Sequence, residues 1–258
     1  MRIMQDKDTL SKTEAAYLLL RRDILNTRLR PGASLRLGAL RDSYGLGWTP
    51  LREALSRLEA EKLVTAVSNR GFAVAPVSRA ELEDLMRARM IVEMPLLLES
   101  IEKGGPDWES AVVTAHYRLS RCKITPDDAS DEVADEWDEK HTAFHAALLS
   151  AATSHWLFRF QSTISDQLRR HHRFLGLTPT QRAAAGMSLG YEKAAAALQD
   201  AMAIEHHTAL MDAALDRDLD RAKALMTEHI GYSLQVYIRS EDELEMQEGP
   251  KQLIGTRS

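Results

Sequence analysis

Several features that would point to other kinds of protein are missing from this 258-residue chain. It has one cysteine, Cys122, so no intrachain disulfide framework can form, and a reducing, cytoplasmic setting is the expectation. It has no apolar run of 18 or more residues, so neither a transmembrane helix nor a membrane partner is expected. Residues 1–12 mix charges and lack the apolar stretch of a secretory signal. No His-Glu-x-x-His stretch occurs, which removes a familiar pairing of a metal with a general base. There is no internal repeat and no low-complexity tract. What is present, 44% hydrophobic and 28% charged residues, suits a globular chain long enough for two modest cores.

The net charge of −5 hides an asymmetry. Residues 1–75 hold 13 Lys and Arg against 8 Asp and Glu; the remainder holds 20 against 30. A basic amino-terminal part joined to an acidic body fits a nucleic-acid-binding head on a sensor, although charge alone is equally compatible with chance.

Local signals divide the chain in the same place. Ser11 with Glu14 three residues on makes a capping box for a first helix, whose stripe of Ala15, Leu18, Leu19, Ile24 and Leu25 runs to about Asn26. Pro31-Gly32 stops it. A second helix is expected over Leu37–Tyr44, ending at Gly45. A third is expected to start with Thr49 as its cap and Pro50 at its first position, burying Leu51, Ala54, Leu55 and Leu58. Residues 63–67 and 71–75 read as two strands around a Ser-Asn-Arg-Gly turn, a two-stranded wing. After Pro76 and Ser78 no strand is expected. Helical periodicity covers residues 79–103, 107–121, 131–150, 155–175, 188–215 and 219–240, with Gly-, Pro- and Thr-rich breaks between. The expected fold is therefore mainly α. A winged helix-turn-helix of residues 1–77 precedes an all-helical bundle of about six helices over residues 78–240, and a polar tail of residues 241–258 closes the chain.

A helix-turn-helix head places its third helix in the DNA major groove, so the polar residues on that helix and the wing are the candidate contacts. Arg52 can offer a guanine two parallel hydrogen bonds. Thr49 can meet a phosphate or a thymine methyl. Gly71 at the wing lets backbone approach the minor groove. Arg36, Arg41, Arg57 and Arg70 are candidate phosphate contacts that set register without reading sequence, though each is equally an ordinary solvated arginine.

Arg30-Pro31-Gly32, Pro50-Leu51-Arg52-Glu53-Ala54-Leu55, Leu58-Glu59-Ala60-Glu61-Lys62-Leu63-Val64 and Asn69-Arg70-Gly71-Phe72 together resemble the winged helix-turn-helix of the GntR superfamily of bacterial regulators. The resemblance implies a homodimer on a palindromic double-stranded operator, with two heads on a two-fold body setting the half-site spacing. Many members of that superfamily carry Arg where Trp48 stands here, so one base contact is expected to differ.

Nine histidines are unevenly spread. His141 and His145, four apart, share a helix face. His207 and His229 lie on two later helices that an antiparallel pairing can bring to one depth. Imidazoles converging from several helices suit a first-row metal, zinc or nickel by ligand type. Taken singly, each is more readily a surface or satisfied core histidine than a ligand; the set of four at these spacings reverses that. Residues 79–240 resemble the FCD effector domain of the FadR subfamily, which in many members holds a metal with one Asp and three His. Phe144-His145, Glu205-His206-His207 and Glu228-His229 carry that likeness. His141 stands where the subfamily has its Asp, leaving an all-His set or a substitution by Asp138 open.

The resemblance further implies a ligand-responsive repressor, not an enzyme, whose effector is a small carboxylate bound near the metal. Asp135-Glu136-Trp137-Asp138, the stretch His141–His145 and Ser154-His155 resemble the glutarate-responsive repressor group, and regulators answering to aromatic acids remain an alternative. Arg89 and Arg173 are the candidate partners of that carboxylate, since a guanidinium pairs with it through two hydrogen bonds. Arg89 is equally placed for an i,i+4 ion pair with Glu93. A metal-dependent hydrolase built on the histidines, or an architectural DNA binder that ignores small molecules, are the rival functions.

Overall fold

The computed structural model describes residues 11–67, 71–122, 131–175, 199–200 and 202–248. It separates the chain into two compact units, Met1–Val77 and Ser78–Ser258. Both are mainly helical, and a small three-stranded sheet belongs to the first. No described helix is long and apolar enough to cross a membrane.

In the first unit, α1 (Lys12–Leu25) starts where Ser11 Oγ accepts the Glu14 amide at 3.1 Å, satisfying one of the free donors of the helix start. Its buried face, Ala16, Leu20 and Ile24, recurs every four residues and meets Leu51, Ala54, Leu55 and Leu58 of α3 (Trp48–Ala60). The intervening α2 (Leu37–Tyr44) ends at Gly45, whose φ of 66° is the left-handed closure glycine supplies without strain.

Two expectations need correction. Thr49 is not the cap of α3: Gly47 is, and Thr49 and Pro50 are the second and third helical residues. Pro50 remains tolerated because amides in the first turn have no intrahelical partner. The wing is also not two-stranded. Besides β2 (Val64–Val67) and β3 (Gly71–Val74), a two-residue β1 (Ser34–Leu35) completes an antiparallel sheet of order β1-β3-β2, with Leu35 opposite Phe72 and Val64 opposite Val74. The turn expected at residues 68–70, Arg70 included, lies outside the described residues.

Among the described residues the second unit holds six helices: α4 (Arg79–Lys103), α5 (Pro106–Ser120), α6 (Asp131–Leu149), α7 (His155–Leu175), α8 (Ile204–Leu215) and α9 (Leu219–Glu248). The break expected at residues 176–179 and the start of the helix expected from residue 188 are not among them. The last helix does not end near Ser240 but continues to Glu248; glutamate, methionine, leucine and glutamine propagate a helix even on a polar stretch. α4 is the central element, packed against α6, α7 and α9, while α8 pairs with α5 and α9. At its end, Gly104 allows a close approach: a Cβ there would lie 2.3 Å from the Trp108 ring. Trp108 Nε1 donates to the Leu148 carbonyl at 3.2 Å, and Ser100 Oγ donates to the Leu149 carbonyl at 2.6 Å. These two bonds fix α6, and with it the first pair of histidines, against α4 and α5.

Candidate metal centre and nucleic-acid surface

Four imidazoles from three helices converge inside the bundle. His141 and His145 come from α6, His207 from α8 and His229 from α9, and one ring nitrogen of each lies within 4.8 Å of all the others. Around a tetrahedral ion with Zn–N bonds of about 2.0–2.1 Å the nitrogens lie roughly 3.4 Å apart, so the rings would move inward to share one ion. His141 Nε2 and His145 Nε2 are 3.1 Å apart.

The rings are held by their surroundings. His141 stacks on Trp137 with centroids 4.4 Å apart and an interplanar angle of 13°. His207 Nδ1 lies 3.0 Å from the Ala203 carbonyl, which makes it the protonated nitrogen and leaves Nε2 with a lone pair. That Nε2 is buried and has no hydrogen-bond partner among the described residues, and the same is true of His229 Nδ1. Orphaned buried nitrogens are rare in a finished core, and two in one cluster fit an ion as their partner.

Burial holds the pKa of His141, His145 and His229 well below the ordinary histidine value and pushes that of His207 down to about 4. Neighbouring imidazoles and the Arg89 guanidinium add to the effect. The set is therefore neutral at pH 7, the state in which imidazole coordinates a metal. Asp138 takes no part: its carboxylate accepts from Arg173 Nε and lies 3.6 Å from Arg169 Nε, so the Asp138 alternative gives way to His141.

The two candidate carboxylate partners differ. Arg89, on α4, is buried, and its Nε donates to Glu93 at 2.8 Å, the i,i+4 pair the spacing allows. Its two terminal nitrogens make no hydrogen bond among the described residues, and its charge is felt by all four imidazoles. Arg173, on α7, is committed to Asp138 and Asp135.

Three neighbours complete the surroundings: by sequence His171 and His172 are ordinary histidines that could still line the pocket, and Arg170 carries no signal of its own. His172 Nε2 lies 2.7 Å from Ser233 Oγ, and its pKa falls to about 3 through burial and the Arg89 charge. Arg170 and His171, both fully buried, reach the carboxylate of Glu81 at 2.9 and 3.2 Å, one turn into α4. The signal lay in Arg169-Arg170-His171-His172-Arg173: five consecutive basic or imidazole residues on a helix cannot all face water. Of the remaining histidines, His206 Nδ1 bonds the Tyr232 hydroxyl at 2.9 Å and His116 bonds Thr208 at 2.8 Å.

The first unit presents the opposite arrangement. Arg36, Arg41, Thr49, Arg52, Arg57 and Gly71 are all exposed. Arg52 makes no ion pair among the described residues. Arg57 does: it bonds Glu14 at 2.8 Å and lies 3.5 Å over the Tyr17 ring, fastening α3 to α1. Arg41 bonds Asp42 and lies 5.1 Å over the ring of Trp48. Gly71 opens β3 with φ 88°, a conformation that favours glycine.

Comparison with known proteins shows the family. Residues 12–74 match the model of bacterial regulatory proteins of the gntR family, and residues 84–232 match the FCD domain. The chain is 37% identical to the HTH-type transcriptional repressor GlaR of Escherichia coli (strain K12), over 83% of this chain and 90% of that one. It is 33% identical to the HTH-type transcriptional regulator BphR of Paraburkholderia xenovorans (strain LB400), over 88% and 85%. The solved structure of E. coli McbR/YncC superposes with a TM-score of 0.65 at 18% identity, covering 92% of this chain and all of that one, and so shares the fold.

Proposed function

This chain belongs to the gntR family of bacterial regulatory proteins, with an FCD domain, and from that premise we propose a repressor that leaves its operator when a small carboxylate reaches the histidine cluster. That it is a DNA-binding transcription regulator responding to a ligand, and not an enzyme, follows from the family itself. The carboxylate, the ion and the dimer are our reading.

Residues 1–77 form the reader, with Arg52 and Thr49 at base edges, Gly71 at the wing, and Arg36, Arg41 and Arg70 on phosphates. Arg57 is better spent as a fastener of α1 to α3, given its partners Glu14 and Tyr17. Residues 78–240 form the sensor and the homodimer that spaces two heads on a palindromic operator, inside the cytoplasm. His141, His145, His207 and His229 would hold a divalent ion, zinc or nickel by ligand type, and an ion able to expand from four to five ligands would leave a place for an anion. When bound, that ion supplies a Lewis-acidic positive centre able to attract an anion.

The residues around it do the rest. Arg89 offers its two terminal nitrogens to the carboxylate while Glu93 holds its Nε, which orients the fork in advance. His172 and Ser233 stand beside it as a neutral polar pair. The single observation that carries this reading is a set of four neutral imidazoles, two of whose nitrogens have no hydrogen-bond partner among the described residues, beside a guanidinium bonded through Nε alone among those residues.

Output requires that the bound ligand prefer one arrangement of the protein; a tenfold change in operator affinity needs about 1.4 kcal/mol of such preference. α7 is placed to transmit it. His172 answers to the cluster, and His171 and Arg170 beside it grip Glu81 at the start of α4, directly after residues 76–80 that join the two units. A thermal-shift screen of glutarate and of benzoate, with and without chelator, tests the reading. The melting temperature is expected to rise with one of them only in the metal-loaded protein, by mass action on the folded state. A rise unaffected by chelator would remove the ion from recognition.

A further inference from the structure

Trp48 is the first residue of α3, the helix that a winged helix-turn-helix head inserts into the major groove, where residues of its amino-terminal turn meet base edges. The residue is 50% exposed, an unusual state for the largest apolar side chain. It is nevertheless held in place. The Arg41 guanidinium of α2 lies over one face at 5.1 Å, and a Cβ built on Gly38 would meet the ring edge at 3.8 Å, so the ring lies beside α2 with room for about one methyl group between. Arg41 is itself held by Asp42 through both Nε and Nη2. An exposed tryptophan immobilised in this way keeps its open side directed away from the head's own core, and little conformational entropy is left to lose on binding.

We propose that Trp48 is a specificity-determining residue that reads a thymine by packing its indole ring on the 5-methyl group in the major groove. The chemistry of the two sides matches. The indole has no acceptor and one N–H donor, so it cannot form the two-bond fork by which arginine selects guanine. The thymine methyl is the one apolar group that a base edge offers in that groove. Arg41, stacked on the ring and exposed, is then positioned to reach the adjacent phosphate, so the pair joins a base contact to a backbone contact. The inference rests on the DNA-binding function and is independent of the metal and the effector.

The test uses the full-length protein and a random duplex library, from which binding sites are selected for the wild type and for Trp48→Ala and Trp48→Arg. The wild type is expected to select thymine at one position of each half-site, Trp48→Ala to lose preference there alone, and Trp48→Arg to prefer guanine. In the wild-type site, replacing that thymine by deoxyuridine removes only the methyl. Affinity should fall about fourfold per half-site, the value of one buried methyl-sized group, and should not change for Trp48→Ala. An uridine-containing duplex bound as tightly as the parent by the wild type would overturn the proposal, and that arm needs no variant. So would identical sequence preference in all three proteins. Failure to select any site would instead strike at DNA recognition itself and take this inference with it.

Discussion

The head and the bundle solve opposite problems with the same kinds of residue. In the head the apolar core of α1, α3 and the sheet is closed, and the side chains proposed to meet DNA, Arg36, Arg41, Trp48, Thr49 and Arg52, stand in solvent on its surface. In the bundle most of the side chains proposed to sense metal and effector lie in the core. Arg89, Glu93, His145, Arg170, His171, His207 and His229 are all below 9% exposure and lie between apolar helices. A surface reader can therefore change its contacts with little effect on folding, because an exposed polar side chain costs little to replace. A buried sensor cannot: each charged or polar group there needs its partner, and losing one leaves an uncompensated group in a medium of low dielectric. Specificity for DNA should drift easily in such a chain, and specificity for the effector should drift only through coordinated changes.

The sharpest way to break this contrast is Arg89→Met. It leaves the Glu93 carboxylate buried and unpaired, and is expected to lower unfolding stability by about 3–5 kcal/mol, measured by urea denaturation. The double variant Arg89→Met with Glu93→Met should recover most of that loss yet fail to respond to carboxylate. Recovery with an intact response would show Arg89 to be purely structural. Arg52→Ala is the counterpart in the head. It should weaken specific operator binding by about 1–3 kcal/mol per half-site while leaving the melting temperature unchanged. His207→Ala or His229→Ala should lower the bound metal, read by elemental analysis, whereas Arg52→Ala should not. Metal content retained in both histidine variants would place the ion elsewhere. The smallest effect is expected for Arg57→Ala, a slight fall in melting temperature from losing an exposed pair with Glu14, with sequence preference unaltered.

Much of the scaffold was legible because its boundaries are written in local chemistry. Ser78 caps α4 by accepting the Glu81 amide, and Gly45 and Gly104 close α2 and α4, so those bounds could be read from single residues. β1 was not legible, since two residues are too short for any alternation and only pairing with β3 makes Ser34–Leu35 a strand. The start of α3 was misread because Thr49 looks like a cap in isolation, while the backbone lets Gly47 serve one step earlier. In the site, the His141–His145 face followed from helical spacing alone. Joining it to His207 and His229 needed the family resemblance, because no local pattern measures how two distant helices align. The fate of Arg173 was invisible for the same reason: its partner Asp138 is 35 residues away and reaches it only because α6 and α7 both pack on α4.

The central claim is that an ion held by the four histidines lets a carboxylate govern DNA affinity. Its most direct test is fluorescence anisotropy of a labelled operator with the full-length protein, titrated with whichever of glutarate or benzoate stabilises it. The comparison is between zinc-loaded protein, chelator-treated protein and His207→Ala. The account predicts that the acid weakens operator binding at least tenfold in the zinc-loaded protein and has no effect in the other two. An equal response in all three would contradict it.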